Sequence, residues 1–218
     1  MQGAGRRAAL AFSRADPIST LHSFSQKGSS AVAGRLNLFA AASTAPDGLR
    51  YREEFITAAD EAELIRRLGE LPLQPFQFGA FEGKRRVASF GFRYDYTERR
   101  LQEADPVPPW LADTVARVEA FSGAATRISQ VLCAEYAMGV GIGWHRDKPH
   151  FGTVFGLSLG SSCALRFRRA AGEKWQRFTR EAAPRSLYVM AGVSRHQWEH
   201  SIPPVAAPRY SITFRTMA

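Results

Sequence analysis

Cysteine is nearly absent from this chain, and long apolar runs are missing. Its 218 residues hold two cysteines, Cys133 and Cys163, each inside an apolar run that reads as a strand. That argues against a disulfide framework and predicts buried thiols in a reducing compartment. Nowhere do about 18 consecutive apolar residues occur that could cross a bilayer as a helix. No membrane partner is expected, and the cytoplasm is the expected site of action. Acids are scarce in residues 1–45, where Arg6, Arg7, Arg14, Lys27 and Arg35 face the single Asp16. With no sustained amphipathic period, this stretch reads as a flexible basic extension ahead of a domain at 46–218. The same composition suits an organellar transit peptide, or a start codon placed too far upstream. Internal repeats are absent too, and the length suits one domain, expected to be a monomer.

What is present is basic. Lys and Arg number 29 against 20 Asp and Glu, a net charge of +9, which favours polyanionic partners and makes nucleic acid the expected partner class. Thr57 is a plausible N-cap for a helix over Ala58–Leu68, with acids in its first turns, Arg66 and Arg67 in its last, and Leu64, Ile65 and Leu68 as its buried stripe. A second helix is predicted from Pro109 to Phe121. From Gln130 onward the pattern changes to short runs of strand character: Gln130–Tyr136, Thr153–Leu159, Ala164–Arg168, Trp175–Thr179, Ser186–Met190, Gln197–Ile202 and Arg209–Thr216. Seven such runs with little helix between them predict an α+β, mainly β fold, a sandwich or jelly roll behind N-terminal helices.

His145-Arg146-Asp147 sets two metal-competent side chains two residues apart, and in extended chain such residues share a side. His200 lies 200 − 145 = 55 residues on and could supply a third donor. Two histidines and one carboxylate on one triangular face suit a non-haem Fe(II) oxygenase. An isolated His-x-Asp is more often a surface pair. His150 and His196 fall outside the pattern and read as supporting or surface groups. The letters His-Arg-Asp also occur in the protein-kinase catalytic loop, but the Asn required five positions after the Asp is Gly152 here, and no strand lysine or Asp-Phe-Gly triplet accompanies it. In the last strand Arg209, Ser211, Thr213 and Arg215 share one face and Tyr210, Ile212 and Phe214 the other. Either the arginines face a cavity, or the apolar face is the core and both arginines lie in solvent.

With these residues on the page, the chain resembles the AlkB family of Fe(II)/2-oxoglutarate-dependent dioxygenases, whose members repair or edit alkylated bases in DNA and RNA. The resemblance runs from about Leu49 to Arg215. It rests on Gly143-Trp-His-Arg-Asp-Lys148, the Val154–Gly160 strand, the Ser194-Arg195 and Trp198-Glu-His-Ser-Ile-Pro203 segment, and Arg209-Tyr-Ser-Ile-Thr-Phe-Arg215. It implies a double-stranded β-helix with Fe(II) on His145, Asp147 and His200, and 2-oxoglutarate and O2 as co-substrates. Arg209 is implied to pair with the distal carboxylate of 2-oxoglutarate, Tyr136 to donate to the same group, and Arg215 to sit near the carboxylate that chelates iron. Ala134 replaces an Asn expected two residues before Tyr136, so one co-substrate hydrogen bond should be missing. The stretch Lys84–Tyr96 is similar to the family's nucleotide-recognition lid, a hairpin offering Arg85, Arg86, Phe90, Phe92, Tyr94 and Tyr96, the four rings alternating onto one face. Pro149 and His150 follow the metal Asp where repair members carry an acid, which puts their adenine and cytosine substrates in question. The expected reaction is oxidative dealkylation of a base in nucleic acid. The alternatives are the same chemistry on a protein or tRNA substrate, and a non-catalytic jelly-roll module holding zinc at the same residues.

Overall fold

The structure, a computed structural model, describes residues 44–78, 80–123 and 125–218. Apart from residues 44 and 45, the basic segment expected at 1–45 lies outside the described residues. Strand β1 (Leu49–Arg52) is followed by helix α1 (Ala58–Glu70), β2 (Gln74–Phe78), β3 (Phe81–Phe90), β4 (Phe92–Asp95) and β5 (Arg100–Glu103). A 3-10 turn, Pro109–Leu111, leads into α2 (Ala112–Ser122). Then come β6 (Gln130–Tyr136), β7 (Ile142–His145), β8 (Phe151–Gly160), β9 (Cys163–Ala171), β10 (Lys174–Ala182), β11 (Leu187–Met190), the short helix α3 (Gly192–His196), β12 (Glu199–Ile202) and β13 (Arg209–Met217).

Seven strands form the major sheet in the order β1-β11-β8-β13-β6-β3-β2, four form the minor sheet in the order β10-β9-β12-β7, and β4 and β5 make a separate hairpin. Every pairing is antiparallel. The non-consecutive neighbours β13 and β8, β13 and β6, and β12 and β7 are the crossovers of a jelly roll, the architecture expected from the short strands. No described helix is long and apolar enough to cross a membrane. Cys133 and Cys163 are free, buried thiols.

Two cores result, because the major sheet is covered on both faces. Against its outer face, α1, the 3-10 turn and α2 pack Leu64, Leu68, Leu111 and Val118 onto Val131, Cys133, Phe155, Leu157, Ile212 and Phe214. Burying each such aliphatic side chain stabilises by about 1.5–3 kcal/mol. Thr57 caps α1 through a reciprocal capping box with Asp60, as the Thr-x-x-Asp spacing suggests. Between the two sheets lies the second core, with Ala134, Tyr136, Val154, Leu165, Phe167, Tyr188, Met190, Trp198 and Ile202. The period-2 alternation of β6, β8 and β13 sorts side chains between these cores, and the inner one holds the polar groups of interest.

Candidate active site

His145 ends β7 and His200 sits in β12, directly opposite in the antiparallel register. That pairing brings residues 55 positions apart to a ring separation of 4.2 Å. Asp147 lies just beyond β7. The donor atoms of His145, Asp147 and His200 all fall within 4.8 Å of one another. His145 Nδ1 donates to the Gly143 carbonyl at 2.9 Å, which leaves Nε2 as the free lone pair and fixes the ring. Arg215 donates through Nε (2.9 Å) and Nη2 (2.6 Å) to Asp147 Oδ1. Asp147 Oδ2 is then left toward His200, 3.6 Å from its Nε2. Gln130 Oε1 accepts from Arg215 Nη1 at 2.7 Å and holds the guanidinium in place.

Protonation suits a cation. Burial works to raise the Asp147 carboxyl, but its charged surroundings, the Arg215 guanidinium foremost, outweigh it and hold it well below the usual carboxylate range. Burial and then the neighbouring His145 push His200 down to about 3. His145 is lowered as well, chiefly by burial. At neutral pH the set is two neutral imidazoles and one carboxylate, so the His200–Asp147 contact is not an ion pair, and all three donors are deprotonated as a metal requires. They fit one divalent ion on one side, with the facing positions left to other ligands.

Deeper in the barrel, Arg209 is fully enclosed. Its Nη2 donates to Ser158 Oγ at 3.1 Å, while Nε and Nη1 have no hydrogen-bond partner. A guanidinium stays charged at any working pH, and leaving such a group buried and half-paired is costly. These donors, together with the second N–H of Nη2, leave the guanidinium in want of an anionic acceptor. The face of β13 bearing Arg209, Ser211, Thr213 and Arg215 is therefore the inner one, and the alternative with both arginines in solvent does not hold. The apolar face is core as well, since Ile212 and Phe214 meet the helices. Tyr136 is buried beside this point, with the Arg209 guanidinium over its ring at 5.1 Å and Arg85 Nη1 3.5 Å from its hydroxyl. Burial would raise its phenol, but Arg85 and Arg209 outweigh that and bring it below its ordinary value. Ala134, Tyr136 and Tyr188 line the inner cavity together with His145, Asp147 and His200.

The mouth differs from the expected lid. Arg85, Tyr94 and Tyr96 do line it, together with Phe76, Arg93 and Lys148. Arg86, Phe90 and Phe92 do not. Arg86 is adjacent to Arg85 in a strand, so it points to the opposite face, where it pairs with Glu135 (Nε–Oε2 2.6 Å). Phe90 is buried in the helix-side core. Phe92 opens β4 on the far side of Gly91, whose φ of +77° breaks the alternation expected through Tyr96. A side chain at Gly91 would put Cβ 2.3 Å from the Ser129 carbonyl oxygen, so only glycine allows the turn. Tyr94 and Tyr96 meet edge to face at 5.0 Å, and Lys148 Nζ stands 4.6 Å and 4.8 Å from their rings. Phe76 packs on Tyr96 at 5.6 Å and under Arg85 at 4.2 Å. His150 rests on Tyr94.

Three contributors escaped the sequence reading. Gln130 is one. Arg195, almost wholly buried, is another. It donates to the carbonyls of Lys148, Phe151 and Gly152 and so pins the loop that carries Asp147. Phe76 reaches the mouth only through the pairing of β2 with β3. Nothing local marks Gln130 or Phe76 as part of a site, and Arg195 stands in the sequence only within a motif of the resemblance, with no role read for it.

Fold and donor set together define a jelly-roll oxygenase site for one metal ion and an acidic co-substrate. The chain belongs to the 2OG-Fe(II) oxygenase superfamily, whose sequence profile matches residues 48–215. That family uses Fe(II), 2-oxoglutarate and O2. Within it the chain resembles AlkB homologues. It is 27% identical over 184 residues to the "Alkylated DNA repair protein ALKBH8 homolog" of Arabidopsis thaliana, covering 72% of this chain and 51% of that one. It is 28% identical over 170 residues to the "tRNA (carboxymethyluridine(34)-5-O)-methyltransferase ALKBH8" of Mus musculus, covering 73% and 24%. The chain thus spans about half or less of these relatives' lengths. Among solved structures, that titled "The structure of OsALKBH1" superposes with a TM-score of 0.59 at 16% identity, covering 79% of this chain and 98% of that one, a likeness of fold.

Proposed function

We propose that His145, Asp147 and His200 hold the iron and that the enzyme oxidises an alkyl group on a base in nucleic acid. The observation that carries the substrate class is the mouth, where Lys148, Arg85 and Arg93 are interleaved with the rings of Phe76, Tyr94 and Tyr96. Cations there meet phosphate, and stacking on such rings contributes about 1–3 kcal/mol per base. Damaged or unpaired bases leave a helix at least cost, so an extruded base is the expected guest.

Bound at these donors, iron(II) with 2-oxoglutarate and O2 supplies the two-electron oxidation that turns a C–H bond into C–OH, releasing succinate and CO2. Arg209 takes the distal carboxylate of 2-oxoglutarate through its unpaired guanidinium N–H groups, Nη1 foremost, and the Tyr136 hydroxyl donates to the same group. Arg215 keeps Asp147 Oδ1 occupied, so that Oδ2 is the oxygen that would be left for a metal. The Gly143 carbonyl holds the His145 ring, and the apolar lining of Leu132, Ile142, Val154 and Met190 keeps water out. A hydroxyl placed on an N-alkyl carbon leaves with that carbon as an aldehyde, as the C–N bond breaks and the nitrogen regains a proton.

A panel of alkylated oligonucleotides, incubated with the full chain, Fe(II) and 2-oxoglutarate, should show one member losing a CH2 or C2H4 unit by mass spectrometry. Formation of succinate driven by a peptide, with every oligonucleotide unchanged, would overturn the nucleic-acid reading. A second reading is favoured by the relative named for a tRNA carboxymethyluridine and by Pro149 and His150 after the metal Asp. In it the oxidised carbon is not bonded to nitrogen, and the base gains one oxygen atom and loses nothing.

A further inference from the structure

Beyond the mouth, the outer face of the minor sheet carries a second basic and aromatic surface. Arg168 on β9 is held between two indoles, its guanidinium carbon 4.5 Å from the Trp144 ring and 4.3 Å from that of Trp175. The register explains the cluster: Ala170 faces Trp175 across β10, and Arg168 faces Glu199 across β12, so alternate residues of three strands share this outer face. Arg168 also pairs with Glu199 at 2.6 Å. It is thereby fixed, and its part is to hold Trp175 upright. Trp175 is 42% exposed, with one ring face backed by Arg168.

A groove runs past this indole, lined by Arg146, Arg168, Arg169, Trp175, His196 and Glu199. Three guanidiniums against one carboxylate give 3 − 1 = +2. The single carboxylate is taken by Arg168. Arg169 bonds only neutral amides, Gln197 at 2.9 Å and Gln176 at 2.9 Å, and stacks on Trp198 at 5.0 Å. Arg146 reaches the His196 carbonyl at 3.5 Å. Neither is ion-paired among the described residues. Arg146 lines this groove and the mouth alike, so the two are neighbours.

We infer that this groove holds the strand flanking the nucleotide in the mouth, with a neighbouring base stacked on Trp175 and the connecting phosphates on Arg146 and Arg169. The inference rests on the nucleic-acid reading above and adds a specific path for the strand. An exposed indole face next to uncompensated guanidiniums matches the alternation of flat base and phosphate in a single strand. An acidic peptide would satisfy the arginines and leave the Trp175 ring without a partner.

The test is fluorescence anisotropy of a labelled single-stranded oligonucleotide of about ten nucleotides, within the site sizes such strands need, titrated with the full chain at several salt concentrations. Trp175→Ala should weaken binding by about tenfold or more, while Trp175→Phe keeps most of the affinity, since a ring remains to stack on. Arg169→Ala should lower the slope of log affinity against log salt by about 0.7, the value of one phosphate contact on a single strand. Tyr94→Ala, at the mouth, separates the two claims. If Tyr94→Ala weakens binding while Trp175→Ala and Arg169→Ala leave affinity and salt slope unchanged, the groove is overturned and the nucleic-acid reading stands. A wild-type chain that binds no oligonucleotide removes that reading and the groove with it. An oligoglutamate peptide that binds the groove variants and the wild type equally, and displaces the oligonucleotide from both, also overturns the groove.

Discussion

Arg209 decides whether the inner cavity takes a dicarboxylate. Its Nε and Nη1 are buried without partners, and Lys in its place would keep the charge and lose the planar fork. Arg209→Lys should therefore weaken 2-oxoglutarate binding markedly. Breaking a buried charged pair costs about 3–5 kcal/mol, so Arg209→Ala should raise the dissociation constant by at least about a hundredfold. Calorimetric titration of 2-oxoglutarate into the Mn(II)-loaded protein checks both, and a near-normal curve for the Ala variant would sink the assignment. Arg215 answers a different question, because its Nε and Nη2 both donate to Asp147. Arg215→Ala and Gln130→Ala should each weaken metal binding, by about 10–100-fold for Arg215, as expected when a group orienting a ligand is lost. Competition with a chelator reads this directly, and unchanged metal affinity in Arg215→Ala would show that Asp147 is positioned by its backbone alone.

At the scale of elements, β8 and β11 are fitted to each other at one point. Gly156 and Tyr188 are register partners, and a Cβ on Gly156 would lie 2.0 Å from the Tyr188 ring. Gly156→Ala must push that ring toward the co-substrate cavity, and overpacking of this kind costs about 1–3 kcal/mol. The expected result is a lower melting temperature and a higher KM for 2-oxoglutarate. Adding Tyr188→Ala to Gly156→Ala should recover part of the KM loss, because residues in contact couple. Additive losses in the double variant would show that the ring does not carry the effect. Elements were also where the sequence was most and least legible. β6 has the predicted bounds, and α1 starts where Thr57 predicts, because a period-2 run and a capping box are local patterns. The Lys84–Tyr96 hairpin departs from the expected alternation at Gly91, whose positive φ ends β3: Phe90 stays with Ala88 on the helix-side face, while Tyr94 and Tyr96 reach the mouth. A run of alternating aromatics carries no sign of where a neighbouring strand will force it to turn.

For the molecule as a whole, His145, Asp147 and His200 line the cavity beside the inner core, apart from the helix-side core. Chelation should abolish succinate formation and leave the far-ultraviolet dichroism unchanged, since a site with open positions contributes less to folding than a closed structural one. With metal restored, 2-oxoglutarate at a hundred times its dissociation constant should stabilise the fold by about 2.7 kcal/mol, seen as a raised melting temperature that Arg209→Ala lacks. Global unfolding on chelation would show a structural metal instead. The sequence by itself determined the strand character from Gln130 onward, the His145–Asp147 pair and the two faces of β13, because spacing within one element is fixed by backbone geometry. Only the tertiary structure decided that both faces of β13 are buried, that His200 stands across from His145, and that Gln130 and Arg195 support the site. Those facts depend on which strands pair and in what register, a choice made by hydrogen bonding and burial between segments far apart in the chain.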